Sequence, residues 1–355
     1  MNDRIGGESD AMSALCRHWC MKLVQPVALT GATGFLGGHV LDALLAGGCQ
    51  VRILVRNPRK LSPELLGKVH IVDGDLLDDG ALERLLAGSG TVLHLAGLVR
   101  GAAEKDFHEV NALGTQRLVT HAERAGRPRL VYVSSLAAAG PSASPEGKSP
   151  EDALEPISAY GRSKLAGEEA VRAYQGPWVI LRPPAIYGPR DRDVFAFFRL
   201  ASSGFVPYPK GIAFLTVAFV EDVVLAVLAA AASEQAARIY HLGEPSPYEM
   251  RELLTLLVKA GDVRAKLVSV PSWVFRLAGW FGDVLHILGW QQFPMTSDKV
   301  RELLAGHWAA KTASSLAELA LPEPKRFFQG ARETWAWYRQ QGLLPHATIR
   351  RGEER

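Results

Sequence analysis

Short, unbroken apolar runs recur through the first half of the chain, with longer runs of helical spacing between them. The apolar runs are Val27–Thr30, Val51–Val55, 69–72, 91–95, 130–134 and 178–181. A strand with one face in water alternates apolar and polar positions; these runs do not. They read as strands covered on both faces, as in a parallel sheet layered by helices. Helical runs occupy 38–46, 81–86, 107–124 and 158–174, and Gly47-Gly48 closes the first of them. The alternation predicts an α/β protein with a doubly wound parallel sheet. After Arg182 the pattern breaks at Pro183-Pro184 and Gly188-Pro189-Arg190-Asp191, which mark a loop leaving the sheet. Residues 214–232 are apolar, but Glu221-Asp222 near their middle favours a strand and helix over a membrane span. The Pro/Ser-rich stretch 141–156 reads as an exposed loop. The expected organisation is an N-terminal extension over 1–23 and a sheet domain over 24–182. A smaller, mainly helical lobe follows over 183–345, with segments returning to the sheet, and 346–355 is a flexible tail.

Composition narrows this picture. With 355 residues, 48% hydrophobic and 22% charged, the chain has ample material for a core. A net charge of +3 without any Lys/Arg-rich stretch argues against a nucleic-acid partner. Cys16, Cys20 and Cys49 form no disulfide framework, which favours a reducing, cytoplasmic compartment. No Cys, His and Asp grouping has metal-ligand spacing, so no metal is expected. Residues 1–23 lack the apolar core of a signal peptide. Met12 and Met21 offer alternative starts, and the expectation is that the fold begins near Met21, with a disordered or non-native segment before it.

The turn after the first strand carries chemistry. Gly31-x-x-Gly34-x-x-Gly37 joins a strand to a helix, bringing bare backbone N–H groups and a positive helix end to one point. That is a pyrophosphate site, and a side chain at the glycines would obstruct it. The second strand ends in Arg56, with Arg59 and Lys60 beyond, where a ribose-binding carboxylate would mark NAD. A guanidinium suits a 2′-phosphate, so NADP is preferred over NAD; the competing reading is a solvated basic loop. Asp75 either accepts from the adenine amino group or is a turn carboxylate.

The sharpest motif is Tyr160-Gly161-Arg162-Ser163-Lys164. Tyrosine and lysine four apart share a helix face. A nearby ammonium and an oxidised nicotinamide are both expected to favour the phenolate and lower the phenol pKa, so that it exchanges a proton with a substrate oxygen while hydride moves at carbon. Ser135, ending an earlier strand, is placed to hold that oxygen, with Ser134 the weaker candidate. His94 lies on a buried strand and reads as structural.

Together these residues resemble an extended short-chain dehydrogenase/reductase of the NAD-dependent epimerase/dehydratase superfamily, with a Rossmann sheet. The matching elements are 30–37, His94-Leu95-Ala96-Gly97, Asn111-Ala112-Leu113-Gly114-Thr115, Ser134-Ser135, Tyr160 to Lys164, 181–189 and Val220-Glu221-Asp222-Val223. The resemblance implies a catalytic set of Ser135, Tyr160 and Lys164, with Asn111 supporting it from behind and Lys164 bonding the nicotinamide ribose. It implies cofactor contacts from Gly31, Thr33, Gly34, Phe35, Leu36 and Gly37, from Asp75 and Leu76, from Leu95, Ala96 and Gly97, and from Pro183. It also implies a homodimer.

The superfamily spans epimerases, dehydratases and ketone reductases, so the fold leaves the reaction open. Sugar dehydratases of the family carry an acid pair after the serine; here Leu136-Ala137-Ala138-Ala139 follows, which disfavours dehydration. The chain is most similar to dihydroflavonol-reductase and 3β-hydroxysteroid-dehydrogenase members, implying a ketone/alcohol pair on an apolar small molecule. Trp273, Phe275, Trp280, Phe281, Trp290 and Phe293 crowd 267–293, with Arg276, Asp283 and His286 as a narrow polar stripe. This stretch is core packing, an apolar substrate lid or a peripheral membrane patch. Arg190, Arg192, Arg199 and Lys210 keep a nucleotide-sugar epimerase with tightly bound NAD as the alternative. A non-enzymatic NAD(P)-sensing regulator is disfavoured, because both Tyr160 and Lys164 are present.

Overall fold

The computed structural model describes residues 14–101, 103–211, 213–287 and 295–345. Seven parallel strands form the main sheet: β1 (Val27–Thr30), β2 (Val51–Val55), β3 (His70–Asp73), β4 (Thr91–His94), β5 (Arg129–Val133), β6 (Trp178–Arg182) and β7 (Arg238–His241). Their spatial order is β7-β6-β5-β4-β1-β2-β3. The order reverses between β1 and β4, so a crevice opens where the chain leaves their carboxyl ends, the binding position of such sheets. Register matters there: Thr30 pairs with His94, and Thr30 Oγ1 meets His94 Nδ1 at 2.7 Å.

Helices cover both faces. Phe35–Ala46 and Val220–Ala232 bury Val40, Leu44, Val227 and Leu228 against one side. Asp79–Leu86, Gly114–Arg124 and Ala159–Arg172 bury Leu82, Leu85, Leu118 and Val171 on the other. A separate aromatic core of Tyr187, Phe198, Phe219, Trp335 and Tyr338 organises the C-terminal lobe. No helix among the described residues is long and apolar enough to cross a membrane.

Several expectations change. Residues 14–20 are helical, not a disordered extension. Cys16, Trp19, Cys20 and Leu23 join the main core, and a side chain at Gly47 would meet Cys20 Sγ at 2.4 Å. The cysteines are free thiols used as packing. Residues 1–13 and 346–355 lie outside the described residues. The stretch 141–156 is no free loop: Ser142 bridges to His307 and Lys148 to Ala310, and both side chains are buried. The helix expected over 107–124 begins at Glu104 and passes through a π-helical turn, His108–Leu113. β7 completes the sheet from the C-terminal half and was not among the strands the apolar runs predict.

Candidate active site

The glycine turn is built as its spacing requires. Gly31 has φ +78°, and an added Cβ would lie 2.6 Å from Ala96 N. A Cβ on Gly37 would lie 2.0 Å from Gly31 O. The turn is thus pressed against Leu95-Ala96, which follow β4, leaving Thr33 and Gly34 exposed at its tip. No side chain caps the helix Phe35–Ala46, and its first turn has no acidic residue. An uncapped helix start behind a glycine cradle fits a dinucleotide pyrophosphate. Leu36 packs on the core below, and Phe35 stacks edge-on against His39 at 5.6 Å.

At the adenine end the assignments divide. Arg56 stands exposed where β2 ends. Asp75 Oδ1 accepts from Leu77 N at 2.8 Å, the turn-carboxylate arrangement. The Leu76 side chain is buried among the helices and packs on Gly114, so it serves the core. The Lys60 side chain lies outside the described atoms.

The Tyr160–Lys164 motif is delivered by the helix Ala159–Arg172, begun by Ser158, whose hydroxyl accepts from Gly161 N at 2.9 Å. A Cβ on Gly161 would fall 2.4 Å from Ala137 O. Glycine there lets the short helix Leu136–Ala139 close on the motif, bringing Ser135 to the Tyr160 phenol. Ser134 points elsewhere, donating to Glu168 Oε1 at 2.6 Å. Lys164 is buried; its Nζ donates to Val133 O at 2.8 Å and lies 4.2 Å from the Tyr132 ring centroid. Burial pulls the Lys164 ammonium down to about 7, with Glu168 opposing. Gly97 lies over this amine: a Cβ there would be 3.5 Å from Nζ. Pro183 is buried, its carbonyl accepting from Leu136 N at 2.8 Å.

Asn111 is a positioning residue. It sits on the π-helical turn, accepts from Leu98 N at 2.7 Å and donates to Leu98 O and Ser163 Oγ, each at 2.9 Å. It therefore ties the loop after β4 to the helix that carries Tyr160 and Lys164. His94 is structural, held between Thr30 and Thr115, and burial lowers it to about 3.

One group of site residues gives no sign of itself in the sequence. The helix Ser297–Leu303 lies over Tyr160. Asp298 Oδ1 accepts from Ala159 N at 2.9 Å, and Glu302 Oε1 accepts from Ser158 Oγ at 2.5 Å. Lys299 Nζ pairs with Glu302 Oε2 at 3.1 Å and stands 5.7 Å from the Tyr160 ring centroid. These residues close a cavity of about 110 Å³ with Tyr160, Phe107, Glu104 and Arg100. Two of its charged residues are paired with neighbours outside the lining, Arg100 with Asp193 and Glu104 with Arg162.

The phenol differs from expectation. Burial pushes the Tyr160 phenol up, and the ammonium that opposes this is Lys299, followed by the Ser135 hydroxyl. Burial alone would lower Lys299, but the Glu302 carboxylate outweighs it and holds the amine charged. Replacing Lys299 with Met removes the cation and raises the Tyr160 pKa further. The limb of the pH profile of kcat/KM governed by this phenol should therefore move to higher pH, in oxidation and reduction alike. An unmoved limb would detach Lys299 from the phenol.

A seven-stranded parallel sheet, a glycine cradle at its switch point and a buried Tyr-x-x-x-Lys helix define an extended short-chain dehydrogenase/reductase. The chain belongs to the NAD-dependent epimerase/dehydratase family, whose model matches residues 27–243. It is 34% identical over 322 residues to a ceramide reductase of Caulobacter vibrioides, covering 90% of this chain and 96% of that enzyme. It is 25% identical to an undecaprenol-linked N-acetylglucosaminyl 4-epimerase of Escherichia coli O157:H7, over 79% of this chain and 85% of that one. Among solved structures it is similar to the dTDP-glucose 4,6-dehydratase DesIV of Streptomyces venezuelae with NAD and TYD bound. That match has a TM-score of 0.73 and 25% identity, covering 90% of this chain and 98% of that one.

Proposed function

We propose that the protein is a nicotinamide-dependent ketoreductase that interconverts a ketone and a secondary alcohol on a lipid-like molecule. The observation that carries this reading is the closure of Leu136–Ala139 on the motif glycine. It presents Ser135 and Tyr160 to one point, with buried apolar side chains where an eliminating acid pair would stand. Bound nicotinamide supplies or accepts the hydride. Ser135 holds the substrate oxygen, and Tyr160 gives it the proton that completes the alcohol, or removes that proton in reverse. Lys164 fixes the ribose edge of the cofactor site, and Asn111 holds the loop and helix in register. The likeness to a ceramide reductase along nearly its whole length supports a lipid ketone as substrate.

The test is a panel of a ceramide-type ketone, a steroid ketone and nucleotide sugars, each with NADPH and NADH. Stoichiometric cofactor oxidation with a lipid ketone is the expected result. Conversion of a nucleotide sugar without net cofactor change would favour epimerisation, the second reading, which the epimerase relative supports.

We also infer that NADP is the preferred cofactor, through Arg56. Arg56→Ala should weaken NADPH binding at least about tenfold and leave NADH nearly unchanged, since a charge-assisted pair to a phosphate is lost. Fluorescence titration with both reduced cofactors reads this directly, and equal losses for both would reassign the residue. A homodimer and a cytoplasmic location remain part of the proposal.

A further inference from the structure

We propose that the outward face of the helix Ser272–Ile287 seats this protein on a lipid bilayer, with the catalytic cavity opening beside the membrane surface. The inference rests on the lipid-ketone reading above and deepens it. On this helix Trp273 is 61% exposed, Leu277 57% and Trp280 64%, with Val274 beside them at 36%. At 100° per residue these side chains fall within one arc, while Phe275 on the opposite side is buried in the lobe. The helix is thus apolar on two faces: one is buried, and a second stripe faces outward. Two exposed tryptophans on one helix suit the boundary between headgroups and acyl chains, which accepts an apolar body with a polar N–H. A water-facing helix gains nothing from them. Trp290 and Phe293 lie outside the described residues.

Charge at the rim selects the occupant. Arg276 is exposed on the helix, and Lys210 is exposed at its foot, its N donating to Val270 O at 2.8 Å. The carboxylate on the described part of the helix, Asp283, turns inward, Oδ1 accepting from Ser297 N at 3.1 Å. An apolar plateau edged by cations complements a bilayer containing anionic lipid. A second copy docked by the same face would set like charges around a shared rim.

Position gives the face its use. Asp283 lies one turn beyond Trp280 and also lines the cavity that holds Tyr160. Through Ser297 the same carboxylate holds the start of the helix that covers the phenol. In the proposed docking, a lipid passes from the bilayer at this helix to the cavity that Asp283 lines.

Flotation of the full chain with vesicles of phosphatidylcholine, with or without phosphatidylglycerol, tests the proposal. The protein is expected to float, more strongly with the anionic vesicles. The double variant Trp273→Ser/Trp280→Ser should lose at least about tenfold of the vesicle-bound fraction. It should keep wild-type turnover of a short-chain, water-soluble ketone but lose turnover of a vesicle-borne one. If the double variant folds poorly, Leu277→Gln alone serves, with the same outcomes. Arg276→Gln should weaken binding to anionic vesicles only. Tyr160→Phe should float as wild type, so an error in the catalytic reading leaves this result standing. Absence of flotation with either vesicle, or flotation indifferent to the tryptophans, overturns the proposal. So does a dimer that the double variant dissolves without any vesicle binding, which would assign the face to a second copy.

Discussion

Tyr160→Phe is expected to bind nicotinamide cofactor normally and to lose turnover by about 10²- to 10⁴-fold, the usual weight of a positioned proton donor. The substitution isolates the hydroxyl. The ring packs edge-on against Phe107 with centroids 6.1 Å apart, a contact phenylalanine keeps. The motif helix is held by Ser158, Asp298 and Gly161 through backbone atoms, none of which involves the phenol oxygen. Folding stability should therefore change little. The loss should fall on kcat, because the proton is transferred only in the transition state. Wild-type turnover in this variant, with the cofactor site titrating as before, would remove Tyr160 from the chemistry and return the site to a binding role.

The sheet and the motif helix were legible because their determinants are local. Unbroken apolar runs place β1 to β6, and a four-residue interval places Tyr160 and Lys164 on one face. The glycine turn was legible for the same reason, since its demands are met within seven residues and against the adjoining strand. The ring of groups over Tyr160 was not. Asp298, Lys299 and Glu302 lie more than a hundred residues from the motif, in a short helix of ordinary composition. Only the docking of two elements makes them neighbours. The sign of the Tyr160 shift was missed for a related reason: burial depends on what closes the site, and the covering helix is invisible from the motif itself. The helix at 14–20 runs against the expectation of a fold beginning near Met21, which rests on the alternative starts Met12 and Met21 ahead of the first strand. Its buried Cys16, Trp19 and Cys20 are apolar at helical spacing, a signal overlooked in so short a run. The aromatic stretch 267–293 fits core packing, a substrate lid or a membrane patch by sequence alone. The structure buries Phe275 and exposes Trp273 and Trp280, so the stretch is not core packing alone.

Glu168→Gln is expected to cost about 3–5 kcal/mol of folding stability, measured by chemical denaturation, because it leaves a buried guanidinium without its counter-charge. Glu168 and Arg182 are both fully buried, at 0% side-chain exposure. They form a two-pronged pair, Nε to Oε1 at 2.9 Å and Nη2 to Oε2 at 2.7 Å. Ser134 donates to the same carboxylate, and Arg182 Nη1 reaches Pro150 O at 3.3 Å. The pair therefore joins the Tyr160–Lys164 helix to the end of β6 and to the strand end that presents Ser135. Glu168 stands four residues after Lys164, which stands four after Tyr160, so one helix face carries the phenol, the amine and a carboxylate. Glu168 raises the Lys164 pKa against burial. Removing its charge should lower that amine below about 7. The charged form of the lysine would then be less favoured, weakening the cofactor site besides destabilising the fold. A double-mutant cycle with Arg182→Met separates the two effects. The paired removal should cost less than the sum of the single changes, since no buried charge is stranded. The pH dependence of cofactor binding should still move in Glu168→Gln, even after stability is restored by low temperature or ligand. Additive costs in the cycle would show that the two groups act independently and that the fold does not depend on their pairing.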